Sequence, residues 1–227
     1  MNKNIGLTFH GIGRPARNLS EGEADYWVGE TMFLQVLDYV AALQDKAHYA
    51  ITFDDGNLSD HRIALPALTE RGLTARFFVL TGRIGRQGSL GESEIGDLAA
   101  AGMAIGSHGV DHLPWPKLDN ATLAAEVAGS RAVLSALLGR DVEEVGIPFG
   151  SYDARVLRAL REAGYCCAWS SDSGRFSPAC FLRPRTSLRA DMGAAEVNNL
   201  LDGYLPVGRR FRRALGMTRR RFSYSKP

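Results

Sequence analysis

Residues 50–56 read Ala50-Ile51-Thr52-Phe53-Asp54-Asp55-Gly56, a short apolar run that ends in two adjacent carboxylates and a glycine. The run has the length and content of a buried strand, and Gly56 lets the backbone turn at its end without a Cβ clash. Side chains alternate along a strand, so Asp54 and Asp55 are aimed in different directions. One carboxylate can then bind a cation while the other stays unligated as a base. Taken alone, such a tripeptide is more often a simple acidic turn.

Working outward, the same alternation of strand and helix continues in both directions. Ile5–Phe9 reads as a strand ending at His10, and Thr31–Gln44 has helical spacing. Downstream, helical stretches at His61–Arg71, Ser93–Ala101, Asp119–Leu138 and Asp153–Ala163 alternate with apolar runs at Ala75–Leu80, Ala104–Gly106, Val145–Pro148 and Cys166–Ser170. Asp119 or Asn120 is the expected N-cap of the longest helix and Gly139 its C-cap. This pattern predicts an α/β fold with a parallel sheet, and seven or eight units in about 200 residues favour a barrel. Reactive groups in such barrels gather after the C-terminal ends of strands. His10, Asp54-Asp55 and Ser107-His108-Gly109-Val110-Asp111-His112 all fall there. Histidines at i and i+4 can chelate a first-row divalent ion. With Asp55 they make two imidazoles and one carboxylate with an open position for water, as catalytic zinc sites require.

The chain has 227 residues, 45% of them hydrophobic and 23% charged, which excludes collagen-like and wholly disordered classes. Its net charge of +2 conceals an asymmetry: all 25 acidic residues lie at or before Asp202, whereas residues 208–227 carry seven arginines and Lys226 with no acid. We therefore divide the chain into a barrel domain, 1–207, and a basic tail, 208–227. The acidic body argues against a nucleic-acid-binding domain, and no specific nucleic acid is expected as a partner. The tail interleaves arginines with Phe211, Leu215, Met217, Phe222 and Tyr224. A solvated terminus, or one folded back on the acidic body, is the first expectation. The same pattern can dock on an anionic membrane surface, or bind phosphate backbones or an acidic polysaccharide. Cys166, Cys167 and Cys180 form no disulfide framework. No secretory signal is read at the N-terminus, and no apolar run nears the roughly 20 residues of a membrane span. The expected location is cytoplasmic, at the inner membrane face if the tail binds lipid.

With its motifs in this order, the chain resembles the NodB-type polysaccharide deacetylases, metal-dependent carbohydrate esterases built on a deformed (β/α)7 barrel. The resemblance runs from about Ile5 to Leu188. It implies Asp54 as catalytic base and Asp55, His108 and His112 as ligands of a divalent ion, with zinc as the first expectation. It also implies an N-acetylated glycan or sugar conjugate as substrate. Gly146-Ile147-Pro148-Phe149-Gly150 stands where the family has Arg-x-Pro-Tyr, and Trp169–Asp172 lies near the fourth motif. The backbone N–H of Phe149 is then the implied oxyanion donor.

The chain departs from the family at four places. Gly109 replaces a small hydroxyl residue, leaving Ser107 to brace the metal loop. Gly146 replaces the third-motif arginine, for which Arg183 or Arg185 is the candidate substitute. Phe149 replaces the third-motif tyrosine, which the backbone donor makes tolerable. The Leu-x-His fifth motif is absent from Phe181–Leu188, so the expected general acid is His10, with Asp54 second. Trp115, beside the metal loop, and Arg185 are candidates for substrate contact, loop packing being an equal alternative for Trp115. Two other functions stay open: hydrolysis of another non-peptide C–N bond, and glycan binding without turnover. An idle site has no need of an unligated base, which favours catalysis.

Overall fold

The computed structural model describes residues 4–204 and 207–222. Six strands pair side by side in chain order, all parallel: β1 (Asn4–Phe9), β2 (Tyr49–Phe53), β3 (Arg76–Val79), β4 (Ala104–Ser107), β5 (Glu144–Gly146) and β6 (Cys167–Ser170). A seventh extended run nearly closes the ring. Its first half, β7 (Leu182–Pro184), pairs with β6, and its second half, β8 (Thr186–Ser187), pairs with β1. Arg185 sits between the halves and donates its backbone N–H to Ser170 O at 2.8 Å, while Leu188 N–H reaches Thr8 O at 2.9 Å. The result is the expected (β/α)7 barrel, deformed where one run serves two neighbours in turn.

Helices fill the crossovers that parallel strands require. Glu30–Ala41 follows β1 and buries Phe33, Val36, Leu37 and Val40, a stripe at helical spacing. Asn120–Leu138 joins β4 to β5; Asp119 caps it by accepting from Thr122 N–H at 2.8 Å, and Gly139 ends it at φ 63°. By length and composition this helix is apolar enough to cross a membrane, contrary to the expectation above, but here it belongs to the outer ring of the barrel. The crossover from β6 to β7 has no helix; Arg175–Phe176 pairs antiparallel with the start of β1 instead.

Strand alternation sorts the side chains into two layers. Leu7, Phe9, Ile51, Phe53, Phe77, Val79, Ile105, Val145 and Ala168 join the main core, and Phe53 stacks on Phe9 at 5.4 Å and on Phe77 at 4.5 Å. Ala50, Phe78, Cys167, Trp169 and Phe176 form a separate cluster inside the barrel. Above that cluster the lumen is polar: Thr52 Oγ1 donates to Leu7 O at 2.8 Å and accepts from Arg185 at 3.0 Å. Gly6 makes the room. A Cβ there would stand 2.9 Å from both Arg185 Cγ and Pro184 O.

The sequence reading assigned no strand to residues 182–187, because arginines facing a polar lumen erase the apolar signal. It also placed no element beyond residue 188, where the structure has helices Ala194–Leu201 and Val207–Phe222. The second of these packs against helix Ala154–Glu162, buries Met217 and pairs Arg220 with Asp172. Of the expectations for the tail, folding back on the body describes residues 207–222. Tyr224 and Lys226 lie outside the described residues.

Candidate active site and metal centre

β2 ends directly in Asp54 and Asp55, both nearly inaccessible to solvent. Asp55 adopts a left-handed backbone at φ 77° and Gly56 follows at φ 67°. This reversal sends the neighbouring carboxylates to different partners. Asp54 accepts a forked pair from Arg185, Nη1 to Oδ1 at 2.7 Å and Nη2 to Oδ2 at 2.9 Å. Asp55 faces the histidines: its Oδ1 lies 3.6 Å from His108 Nε2 and 3.6 Å from His112 Nε2.

The loop after β4 is braced from below. Ser107 Oγ accepts from Gly109 N–H at 3.0 Å, which supplies the bracing bond expected of it. The larger brace is Glu126, a buried side chain the sequence reading did not single out. Its carboxylate accepts from Val110 N–H at 3.0 Å, Asp111 N–H at 3.1 Å and Trp115 Nε1–H at 3.4 Å. Glu126 belongs to a π-helical turn, Ala125–Gly129, and a second such turn, Asp60–Ala64, follows the Asp54-Asp55 loop. Turns of this kind are frequent at functional sites.

The ligand atoms of Asp55, His108 and His112 all lie within 4.8 Å of one another. His108 Nδ1–H donates to Gly146 O at 2.9 Å, which leaves the Nε2 lone pair facing Asp55. Burial, reinforced by His108, holds His112 down at about 4, so its ring is neutral near neutral pH. Asp55 Oδ1 is buried without a hydrogen-bond partner. A desolvated carboxylate oxygen facing imidazole lone pairs is unfavourable unless a cation lies between them. The donor set therefore fits a divalent metal ion.

Burial alone would raise the Asp54 carboxyl, but Arg185, His108 and His10 together outweigh it and bring it to about 2. Arg185 is wholly buried, so its placement differs from the substrate contact expected above: it holds the Asp54 carboxylate instead. Arg183 turns away, donating to Pro178 O at 2.7 Å with its guanidinium 5.3 Å from the Trp169 ring. The family's third-motif arginine has no place here, since a Cβ on Gly146 would stand 2.9 Å from the Phe78 ring and 3.0 Å from His108 Nδ1.

These groups open on a cavity of about 680 Å³ lined by His10, Tyr26, Arg83, Asp111, Phe149, Ser171 and Ser187 among others. The His10 ring meets that of Tyr26 at 5.0 Å, tilted by 47°, and its Nδ1 is buried without a hydrogen-bond partner. Phe149 holds a left-handed backbone at φ 57°, and its exposed ring lies 4.2 Å from that of His112. Trp115 does not line the cavity. It is fully buried under the metal loop, where Gly109 leaves it room, so packing replaces the expected stacking on sugar. Asp60 is a further buried carboxyl that sequence patterning missed. Neither of its oxygens has a hydrogen-bond partner, and burial, with Asp55 nearby, pushes it well above the usual carboxylate range.

Arg185→Ala strands a buried carboxylate, and urea unfolding should register a loss of about 3–5 kcal/mol. Because that cost arises from the orphaned partner, Arg185→Ala combined with Asp54→Asn should lose clearly less than the sum of the single variants; strict additivity would contradict the pairing. Asp60 tests the opposite sign. A carboxyl raised on folding stabilises the native state below its unfolded pKa and loses that contribution as pH rises through the folded pKa. In metal-free protein, Asp60→Asn should therefore gain stability relative to wild type between about pH 5 and about pH 8. A difference that stays flat over this range would show that Asp60 ionises normally.

The sequence can now be set beside known proteins. A family model described as polysaccharide deacetylase matches residues 42–168, a stretch that contains both aspartates and both histidines. Over 127 residues the chain is 29% identical to the polysaccharide deacetylase-type protein YxkH of Bacillus subtilis (strain 168), covering 56% of this chain and 46% of that one. Over 119 residues it is 31% identical to a chitin deacetylase of Pestalotiopsis sp, covering 52% of this chain and 39% of that one. The matched stretch thus spans less than half of each of these curated relatives. In fold it is similar to the Streptococcus pyogenes deacetylase PplD, solved with acetate, at a TM-score of 0.75 and 20% identity over 90% of this chain and 99% of that one. Since the match takes in more than half of the chain and both of the motifs that build the site, the chain belongs to the polysaccharide deacetylase family.

Proposed function

We propose that the protein is a hydrolase that removes the acetyl group from an N-acetylated sugar in a polysaccharide or glycan precursor. The observation that carries this reading is the convergence of Asp55, His108 and His112 within 4.8 Å beside a second carboxylate, Asp54, that belongs to Arg185. Asp55, His108 and His112 would hold the divalent ion, with zinc the best match to two imidazoles and one carboxylate. Such an ion, when bound, acidifies water and polarises a carbonyl.

The remaining work falls to the chain itself. Asp54 is ionised throughout the neutral range and accepts the proton of the water that attacks the acetamide carbon. Its low proton affinity makes it a weak base but, once protonated, a strong acid that passes the proton on readily. Phe149, turned by its left-handed backbone at the cavity wall, offers its N–H to the oxygen on which negative charge develops. His10, on the facing wall, donates a proton to the leaving amine, so that acetate and a free amino sugar depart. Arg185 keeps the base oriented without touching the substrate.

Acetate release from N-acetylated oligosaccharides should vanish after dialysis against a chelator and return with added zinc. Asp54→Asn should lower kcat by at least about 10²-fold while zinc still binds; His108→Ala should lose the zinc itself. Loaded wild-type protein that releases no acetate from free, polymeric or lipid-linked N-acetyl sugars would refute the deacetylase reading.

We also propose that the protein works in the cytoplasm, docked on anionic lipid through helix Val207–Phe222. While Met217 and Arg220 face the body, Leu215 and Phe222, seven residues apart and so on one stripe, are 74% and 79% exposed, with exposed Arg219 beside them. An apolar stripe with an exposed arginine beside it matches an acyl boundary beneath anionic headgroups. Vesicles containing phosphatidylserine should sediment the full chain at low salt and release the Leu215→Ser/Phe222→Ser variant; equal sedimentation of both would exclude this face.

A further inference from the structure

We propose that Arg220, on the C-terminal helix, is a positioning residue for the reaction: it fixes Asp172 and, through Asp172, the loop that carries Phe149. The activity arm of this proposal rests on the deacetylase reading above; its structural arm does not.

Asp172 follows β6, and its side chain is almost fully buried. Its Oδ2 accepts from Ser170 Oγ at 2.7 Å and from Tyr152 Oη at 2.8 Å. Arg220 donates to the other oxygen, Oδ1, and its guanidinium lies 5.1 Å from the Tyr152 ring. Two neutral hydroxyls therefore satisfy one oxygen, and a cation from the distant helix satisfies the other. The segment held in this way is the wall of the cavity. Ser171, next to Asp172, lines it, and Gly150 packs so closely on Ser171 that a Cβ would stand 2.7 Å from both its N and its Cβ. Gly150 is joined to Phe149, whose ring meets His112. Contacts thus run without a gap from the helix through Asp172, Ser171 and Tyr152 to Phe149 and the metal loop.

Arg220 bears on chemistry because of the tolerance at the far end of these contacts. An oxyanion donor works only within about 0.5 Å of its place, and a misplacement of about 1 Å costs on the order of 10²-fold in rate. Without Arg220, the buried Asp172 keeps one oxygen unsatisfied, and the loop must open to let water reach it. Arg220 also lies outside the stretch that matches the family model.

The test uses the full zinc-loaded chain with Arg220→Ala, Arg220→Lys and, as a control on the same helix, Thr218→Ala, since Thr218 is exposed. Acetate release and amide hydrogen exchange over residues 149–153 are measured on each. Arg220→Ala should lower kcat by about tenfold or more with KM within about twofold. Arg220→Lys should recover part of the loss, and Thr218→Ala should change neither constant. Exchange over 149–153 should quicken in Arg220→Ala alone. Wild-type kcat and exchange in Arg220→Ala, or an equal loss in Thr218→Ala, would overturn the proposal. If wild type releases no acetate, the deacetylase reading fails and exchange alone decides: quickening confined to Arg220→Ala upholds the positioning, and its absence overturns it.

Discussion

Inside the barrel, the Arg185 guanidinium grips the Asp54 carboxylate with two bonds of 2.7 and 2.9 Å, both partners nearly stripped of water. Much of the remaining structure answers to that pair. The charges are buried at a cost that only close, forked geometry offsets, so neither can be given up singly. Gly6 vacates the space that Arg185 enters, and Thr52 takes one of its remaining protons. Since Arg185 stands at the junction of β7 and β8, the same bond ties the closing run of the barrel to the end of β2 on the far side of β1. Closing the barrel and holding Asp54 are one interaction.

Around it, environment assigns each titratable group a different state. Asp54 is kept anionic by a neighbouring cation, and His112 is kept neutral by burial and a second histidine. Asp60, buried close to the Asp55 carboxylate, favours its protonated form. Three carboxyls within seven positions of sequence thus have three fates: held by Arg185, turned to the histidines, or left alone in the core. Dividing roles among like groups by surroundings is how one site can run acid and base chemistry together. Glu126 extends the principle to the backbone, using a buried negative charge to gather three N–H donors and set the loop that presents His108 and His112.

How far the sequence could be read follows from how local each signal is. The strands through β6 announce themselves because they are apolar on both faces, and the helices because their buried stripes recur at helical spacing. The aspartate and histidine motifs are legible since each is contiguous and follows such a strand. Residues 182–187 are not, because their role in the barrel lies between two strands and their side chains serve a polar lumen. Trp115 shows another limit: beside the metal loop in sequence it could pack or meet substrate, and only in space is it seen to lie beneath that loop. Glu126 is separated from the backbone it braces by a loop and the start of a helix, and no spacing rule connects them.

By itself, the sequence determined the alternation of strands and helices and the order of the contiguous motifs that carry Asp54-Asp55 and His108–His112, because these depend on neighbours a few residues away; that Asp55 meets the two histidines is the work of the barrel. Only the tertiary structure decided which arginine holds Asp54. Arg183 and Arg185, two residues apart, lie on one face of the closing run, but Arg185 enters the space that Gly6 leaves at the level of Asp54, whereas Arg183 stands over Trp169. It also decided the place of the basic tail, whose charge is plain in composition. That Arg220 meets Asp172 depends on helix Val207–Phe222 returning to pack on helix Ala154–Glu162, a contact set by burial between distant segments and not by local pattern.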